Sequence, residues 1–429
     1  MVGYYFALFL VSLWTTRQTP AADGVIDPFF VVIVPARDEE LMIGQTVARL
    51  KALKDARFMA LIVDDGSRDR TREVARAAAE GDPRIVVMSR GAAVAGRGKG
   101  EVLNHAYRCL CTLVEASEHR FGGPAPENVV VAIVDADGWL EPHALRAVAP
   151  YFADRRVGGV QLPVRIWNAR EGFLARMQDI EFIGFSLFVQ AGRDPSGSVG
   201  LGGNGQFTRL SALQELGSRP WTQCLTEDLD LGLSLVERGW RNRFCPHACV
   251  AQQALTKVAP FFRQRTRWIQ GHYSCWSHLP ALWRSPAVPL LTKVDLSLYL
   301  LLVGFILVLA VQFAAGVLGY LGLGTAVRSP LAFISDPRLQ HIATLVLSAT
   351  PLLAFAVTYQ RFSALRLPVW ALPGVFAVFA MYGYFWAVPA SLRALARLAV
   401  GRGAWVKTPR QPISDHDLLG ERAVLTRLA

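Results

Sequence analysis

No two cysteines of this chain stand in a C-x-x-C pair; Cys109, Cys111, Cys224, Cys245, Cys249 and Cys275 are all separated otherwise. That excludes a zinc-ribbon framework, and Cys245-Pro-His-Ala-Cys249 lacks a second ligand pair at zinc spacing. Buried or partly buried thiols in a reducing compartment account for all six. The chain also lacks a basic leader. Residues 1–14 are an apolar run with no Ala-x-Ala cleavage site before Arg17. This argues against a cleaved signal peptide and leaves an anchor, an interfacial helix or a short span. Acidic residues are in deficit, 34 against 45 basic ones, for a net charge of +11. Such a balance suits nucleic acid, anionic lipid or phosphate-bearing ligands. The arginines lie near apolar stretches, which favours a membrane surface over nucleic acid. Charge itself is scarce after about residue 294. The long uncharged runs there are the pattern of membrane helices, which satisfy their own backbone hydrogen bonds.

Apolar residues make up 52% of the 429, and their patterning changes along the chain. Phe29-Phe-Val-Val-Ile-Val-Pro35 is a continuous β-branched run, as expected of a strand buried on both faces. Helical spacing follows over 41–53. A second strand is predicted over 59–64, a helix over 70–80 and a third strand over 84–89. After a Gly- and Lys-bearing loop come a helix over 101–116 and a fourth buried strand over 128–134. Strands alternating with helices predict an open Rossmann-like α/β sheet. Residues 158–243 are mixed, with a helix predicted over 230–238. Residues 261–283 interleave aromatics with Arg263, Arg265 and Arg267, a pattern suited to a headgroup-level helix or to an ordinary surface helix. Three apolar segments, 294–324, 341–359 and 369–392, are each long enough to cross a bilayer. Arg393, Arg397, Arg402, Lys407 and Arg410 follow, which places the tail in the cytoplasm. Three spans would leave the tail on the far side, so one segment is expected to be interfacial or re-entrant.

Four short motifs carry chemistry. Asp64-Asp65-Gly66-Ser67 follows a buried strand, where open α/β sheets bind ligands; it is also a good turn. Asp135-Ala-Asp137 follows another. If the chain stays extended, alternation puts both carboxylates on one side, able to hold Mg²⁺ or Mn²⁺; the plainer reading is an acidic turn. Thr226-Glu227-Asp228 enters a helix. Either it caps that helix, or Asp228 is a general base. Gln264-Arg-Thr-Arg267-Trp268 sets a guanidinium beside an indole, suited to a phosphate and a ring, or simply to a basic interface.

Their order resembles glycosyltransferase family 2, in its membrane-integrated branch of cellulose, chitin, hyaluronan and poly-N-acetylglucosamine synthases and lipid glucosyltransferases. The resemblance covers roughly residues 29–283. It is carried by Val34-Pro-Ala-Arg-Asp-Glu-Glu40, Val63-Asp-Asp-Gly-Ser67, Gly98-Lys-Gly-Glu-Val-Leu-Asn104, Asp135-Ala-Asp137, Gly203-Asn-Gly-Gln206, Thr226-Glu-Asp228 and Gln264-x-x-Arg267-Trp268. It implies a GT-A (Rossmann-like) mixed open sheet as catalytic domain, plus a C-terminal α-helical transmembrane region. The implied division is an apolar segment and linker over 1–28, the catalytic domain over 29–260, interfacial helices over 261–290, membrane helices over 291–395 and a cytosolic tail over 396–429.

The same resemblance implies roles. Pro35, Glu39 and Asp65 would line a uridine pocket, with Lys99 and Asn104 near the nucleotide or its phosphates. Asp135 and Asp137 would bracket the diphosphate and a Mg²⁺ or Mn²⁺ ion, with Asp137 the direct ligand. Asp228 would be the base of an inverting transfer from a UDP-sugar. Gln264, Arg267 and Trp268 would meet the diphosphate and the acceptor. Gly203, Gly205, Gln206 and Glu227 would lie on the acceptor side, because Gly-Asn-Gly-Gln-Phe-Thr-Arg resembles a segment of β-monoglucosyldiacylglycerol synthases. The acceptor would be a lipid or a growing polysaccharide, and the enzyme multi-pass in the inner (plasma) membrane with a cytoplasmic catalytic domain. The tail Trp405-Val-Lys-Thr408-Pro-Arg410 resembles a cytosolic segment of some members. A transporter with a nucleotide-binding accessory domain calls for ionisable residues inside the apolar segments, where 294–324 offers only Asp295 at its edge. An inert scaffold calls for loss of a metal acid or of the base, and none is lost.

Overall fold

The computed structural model describes residues 2–18, 27–54, 56–91, 93–115, 125–320 and 336–401. The predicted alternation is present: β1 (Phe29–Ala36), α2 (Ile43–Lys51), β2 (Phe58–Asp64), α3 (Thr71–Ala79), β3 (Ile85–Ser89), α4 (Lys99–Glu115) and β4 (Val129–Ile133), preceded by α1 (Val2–Thr15). After β4 come β5 (Trp139–Leu140) and α5 (Ala144–Val148), and the stretch read as mixed opens with β6 (Val157–Gln161), β7 (Val164–Ile166) and α6 (Phe173–Gly184). A π-helical turn, Phe185–Gln190, then leads into α7 (Ala191–Arg193), followed by β8 (Gln206–Arg209), α8 (Leu210–Glu215), α9 (Glu227–Glu237), β9 (Arg241–Phe244) and β10 (Val250–Gln252). The remainder is helical: α10 (Val258–Ser274), α11 (Leu279–Arg284), α12 (Leu290–Tyr320), α13 (Pro337–Phe362) and α14 (Leu372–Ala399).

The main sheet has seven strands in the order β3-β2-β1-β4-β8-β6-β9. β1 pairs in parallel with β2 and β4, whereas β8 runs antiparallel to β4 and β6. The sheet is therefore mixed. Its central strand is buried on both faces. Phe30, Val32 and Val34 meet the core with α2, α3 and α5, and Val31 and Ile33 meet the core with α4, α8 and α9. Period-two alternation with apolar residues on both sides is what made 29–34 read as continuous. A second sheet, β5-β10-β7, stands apart from the first.

The helices at the C-terminal end pack on one another and on the α/β part of the chain. α10 lies along α14, where Phe261 meets Tyr382 at 5.8 Å and Phe262 meets Phe385 at 5.3 Å between ring centroids. α10 is thus a packed helix with one face on α14. α1 packs on α7 and α13. Among the described residues one helix, Val369–Ala399, is long and apolar enough to cross a membrane by length and composition. α12 and α13 run for 31 and 26 residues. The apolar run at residues 1–14 is a shorter helix, Gly3–Thr15 in its apolar part. The expected cytosolic tail from residue 402, including Trp405 and Arg410, lies outside the described residues, as does most of the linker before β1.

Candidate active site

β1, β2 and β4 all end at the same edge of the sheet, and the chain turns there into the acidic motifs. A cavity of ≈ 560 Å³ opens at that edge. Pro35, Glu39, Asp65, Lys99, Asp135, Glu227, Asp228, Gln264, Arg267 and Trp268 all line it. Residues from six separate stretches of sequence are thus brought to one space. The cavity continues past Trp268 between the helices, where Phe182, Phe185, Val189, Leu302, Phe355, Phe379 and Trp386 form its wall.

Asp65 is held from two sides. Arg90 donates to its Oδ1 at 2.5 Å and the Gly96 N–H donates to its Oδ2 at 3.0 Å. Arg90 is buried at the end of β3, and no local pattern marked it. Lys99, the first residue of α4, donates from Nζ to Asp135 Oδ1 at 2.5 Å and lies 4.0 Å from Glu227 Oε1. Burial works against its charge, but Asp135, Glu227 and Asp228 outweigh it and hold the ammonium above its ordinary pKa. Glu227 is pushed up to about 7, by burial first and by the negative charge of Asp228 second. Burial likewise raises Asp228, against the pull of Lys99 and the Leu229 N–H. The capping alternative for Thr226 is not what forms. Its side chain makes no cap hydrogen bond, and Asp228 Oδ1 accepts from the adjacent Leu229 N–H at 2.8 Å.

Asp135 and Asp137 depart from the extended geometry expected of them. β4 ends at Ile133, and Asp135 to Gly138 form a turn closed by the Gly138 N–H on Asp135 O at 2.7 Å. Strand alternation therefore does not apply. Asp135 lines the cavity, whereas Asp137 is 1% exposed and accepts from the Gln253 N–H at 3.4 Å, beside the cavity-lining Gln252. Asn204 fixes this turn, accepting from the Asp135 N–H at 3.2 Å and donating to Gln252 Oε1 at 3.0 Å. Both acidic side chains offer carboxylate oxygens, the donors that Mg²⁺ and Mn²⁺ take, so the donor chemistry fits such an ion.

Asn104 does not reach the cavity. It is fully buried in α4, donating to Trp221 O at 2.7 Å and accepting from Trp221 N–H at 3.1 Å. On a helix two turns deep, its amide satisfies the backbone of the loop before α9. Gly203 has φ +74° and packs directly on Asp228: a β-carbon there would lie 2.6 Å from Asp228 Oδ2 and 3.1 Å from Lys99 Nζ. Gly205 packs on Val250 of β10, away from the cavity lining. Gln206 is buried and accepts from the Gly203 N–H at 3.1 Å, shaping the loop.

On α10, Arg267 donates to Leu225 O at 3.3 Å, tying that helix to the loop that carries Asp228. Trp268 stands edge-on to Phe182 at 6.2 Å. Arg265 sits 4.6 Å above the Trp268 ring, pairs with both carboxylate oxygens of Glu181 at 2.7 and 2.8 Å, and is 3% exposed. Tyr382 of α14 donates to the same Glu181 at 2.7 Å. Arg265 lies inside a motif read for its neighbours, and Glu181 had no motif around it at all. His272 also lines the cavity. It donates to Leu300 O at 3.0 Å, and burial pushes its pKa down to about 4, so it is a neutral wall residue. Asp295, at the edge of the apolar segment, accepts from Tyr4 at 2.9 Å and from buried Arg193 at 2.9 Å, joining α1, α7 and α12.

Against this geometry, the comparisons with known proteins agree. The chain is 31% identical over 280 residues to the Beta-monoglucosyldiacylglycerol synthase of Synechocystis sp., covering 62% of this chain and 54% of that protein. It is 26% identical over 238 residues to the Poly-beta-1,6-N-acetyl-D-glucosamine synthase of Staphylococcus aureus, covering 54% and 52%. The chain spans about half the length of the curated relatives it matches. Among solved structures, the mannosyltransferase PcManGT of Pyrobaculum calidifontis, in complex with GDP-Man and Mn²⁺, superposes with a TM-score of 0.52 at 16% identity, over 93% of this chain and 97% of that one. That likeness speaks for the fold. A family model described as Glycosyltransferase like family 2 matches residues 28–271, more than half of the chain, and with the sheet order and the convergent acidic motifs it establishes that the chain belongs to this glycosyltransferase family.

Proposed function

We propose that this protein transfers a hexosyl unit from a UDP-sugar to the hydroxyl of a membrane lipid, with inversion at the anomeric carbon. The observation that carries the reading is the continuity of one cavity, acidic and cationic at the sheet edge and apolar between α6, α12, α13 and α14. A donor diphosphate suits the first end, where Lys99 and Arg267 supply positive charge. An acyl-bearing acceptor suits the second, whose wall is aromatic and aliphatic.

In this reading Asp228 takes the proton of the acceptor hydroxyl as its oxygen attacks the anomeric carbon. The bond from that carbon to the diphosphate oxygen breaks and UDP leaves. Burial, which raises Asp228, makes it a stronger base than an exposed aspartate. Glu227, pushed up to about 7, is partly protonated near neutrality and in that form can donate to the acceptor or the sugar. Asp135 and Asp137 would hold Mg²⁺ or Mn²⁺, which neutralises charge on the departing diphosphate. PcManGT is solved with Mn²⁺ and a nucleotide sugar, which supports the same class of donor here. Pro35, Glu39 and Asp65 would receive the base and ribose, and Gln264 and Trp268 the diphosphate and acceptor end. Asn104, Gly205 and Gln206 shape the site from behind.

In the same proposal the enzyme works at the inner face of the plasma membrane, with α14 spanning and α1, α12 and α13 packed beside it at the membrane. Exposed apolar side chains on these helices support it, among them Trp14, Leu301, Leu353, Met381 and Phe385. A second reading, extension of a β-linked polymer, is favoured by the likeness to the Poly-beta-1,6-N-acetyl-D-glucosamine synthase.

Membranes carrying the protein should release UDP from radiolabelled UDP-glucose or UDP-N-acetylglucosamine in the presence of Mn²⁺ or Mg²⁺. Asp228→Asn should lower turnover by ~10²–10⁴-fold while the protein stays folded. Solvent-extractable label means a lipid acceptor, and precipitable high-mass label means the polymer reading. Full turnover by Asp228→Asn overturns the assigned base, and label transferred from neither donor overturns the donor assignment.

A further inference from the structure

Cys224 and Cys275, fifty-one positions apart, face each other with their sulfurs 4.0 Å apart. A carboxylate oxygen of Asp230 joins them, and all three donor atoms lie within 4.8 Å of one another. Among the described residues this is the one group of three such donors that meets that spacing. The three sit on the loop before α9, on α9 itself and just past the end of α10. Two thiolates on a tetrahedral zinc ion stand roughly 3.8 Å apart, given Zn–S bonds of ~2.3 Å. The sulfurs thus already have the separation a shared metal imposes.

The surroundings are those of a built site. Thr222 donates to Asp230 Oδ2 at 2.8 Å and His278 to Asp230 Oδ1 at 2.9 Å, fixing the carboxylate from behind. His278 is oriented in turn by Glu237 at 2.7 Å. The Cys224 N–H donates to the same Thr222 hydroxyl at 3.1 Å, so one loop sets two of the donors. Supporting hydrogen bonds of this kind orient metal ligands and raise affinity. Cys275 is fully buried, whereas Cys224 is partly exposed, which gives an ion a way in.

We propose that Cys224, Cys275 and Asp230 bind a Zn²⁺ ion, with water in the fourth position. Binding releases the two thiol protons. The donor set is soft and distinct from the carboxylates of Asp135 and Asp137, so Mn²⁺ or Mg²⁺ does not compete for it. Its position gives it a task. Gly271 of α10 comes so close to Thr226 that a β-carbon would lie 2.5 Å from Thr226 Oγ1. The ion staples the loop leading into Glu227 and Asp228 onto the helix that carries Gln264, Arg267 and Trp268.

The test is metal content of the full chain purified in detergent without chelator, together with Co²⁺ replacement. The proposal expects about one zinc per chain and, on Co²⁺ loading, a thiolate-to-cobalt charge-transfer band. Cys224→Ser and, separately, Cys275→Ser should abolish the band, Asp230→Asn should weaken it, and Asp135→Asn should leave it intact. Two freely titrating thiols with no band on added Co²⁺ overturn it, as does a Cys224–Cys275 disulfide in the purified chain. A band that survives both cysteine substitutions places the metal elsewhere and overturns it too. None of these readouts requires turnover, so they stand or fall apart from the proposed transfer reaction.

Discussion

A β-carbon on Gly203 would lie 2.6 Å from Asp228 Oδ2, so the loop and this carboxylate occupy space that only glycine leaves open. The φ of +74° adds strain for any other residue, of about 1–2 kcal/mol. Gly203→Ala should therefore push the carboxylate aside. A displacement near 1 Å costs about 10²-fold in rate. We expect turnover to fall by at least that factor with the far-ultraviolet circular dichroism unchanged. Full activity in Gly203→Ala would show that Asp228 is not held where it acts.

The proton on Glu227 links stability to pH. Its folded pKa of about 7 exceeds the ordinary 4.5, so between these values the folded chain binds more protons than the unfolded one. The contribution is fully present below about pH 4.5 and is lost as pH rises through about 7, amounting to roughly 3 kcal/mol. The melting temperature in detergent should fall from about pH 5 to about pH 8, and Glu227→Gln should flatten that slope. A wild-type and a Glu227→Gln profile of equal slope would mean that Glu227 titrates as an exposed acid.

Asn104 separates support from contact. Because its amide makes two hydrogen bonds to the backbone of Trp221, Asn104→Ala leaves a buried N–H and C=O unpaired. The loss should be about 2–4 kcal/mol of stability, read as an earlier unfolding midpoint. At temperatures where the variant is folded, KM for the nucleotide sugar should be unchanged. A selective rise in KM without destabilisation would return Asn104 to the nucleotide.

Arg265 is the buried cation at the junction of the two halves of the cavity. It neutralises Glu181 and stacks on Trp268, with Tyr382 completing the network from α14. Arg265→Met strands the Glu181 carboxylate and should destabilise the protein by about 3–5 kcal/mol. Adding Glu181→Gln to it should restore much of that loss, since no charge is then left unpaired. A double variant as unstable as the single one would show that packing, not charge, dominates there.

The strands and helices through residue 134 were legible because each has its own local period, two or near 3.6, and its own punctuation. Two of the acidic motifs, at Asp65 and Asp135, were legible for a related reason: they directly follow buried runs, and such ends converge wherever parallel strands share a sheet. Strand alternation misled at Asp135 and Asp137, because β4 stops at Ile133 and a turn follows. It is a contact between Asn204 and the Asp135 backbone that fixes that turn, and no spacing announces it.

What the sequence determined by itself is therefore the parallel half of the sheet, the family and the motif residues that line the sheet-edge end of the cavity. Tertiary structure alone decided which of those side chains face the cavity and which, like Asn104, brace it from behind. It alone paired Arg90 with Asp65, Arg265 with Glu181 and Arg193 with Asp295, across 25, 84 and 102 positions of chain. A buried charge must find a partner or stay neutral, but the partner is set by packing in space, and separation along the chain carries no trace of it.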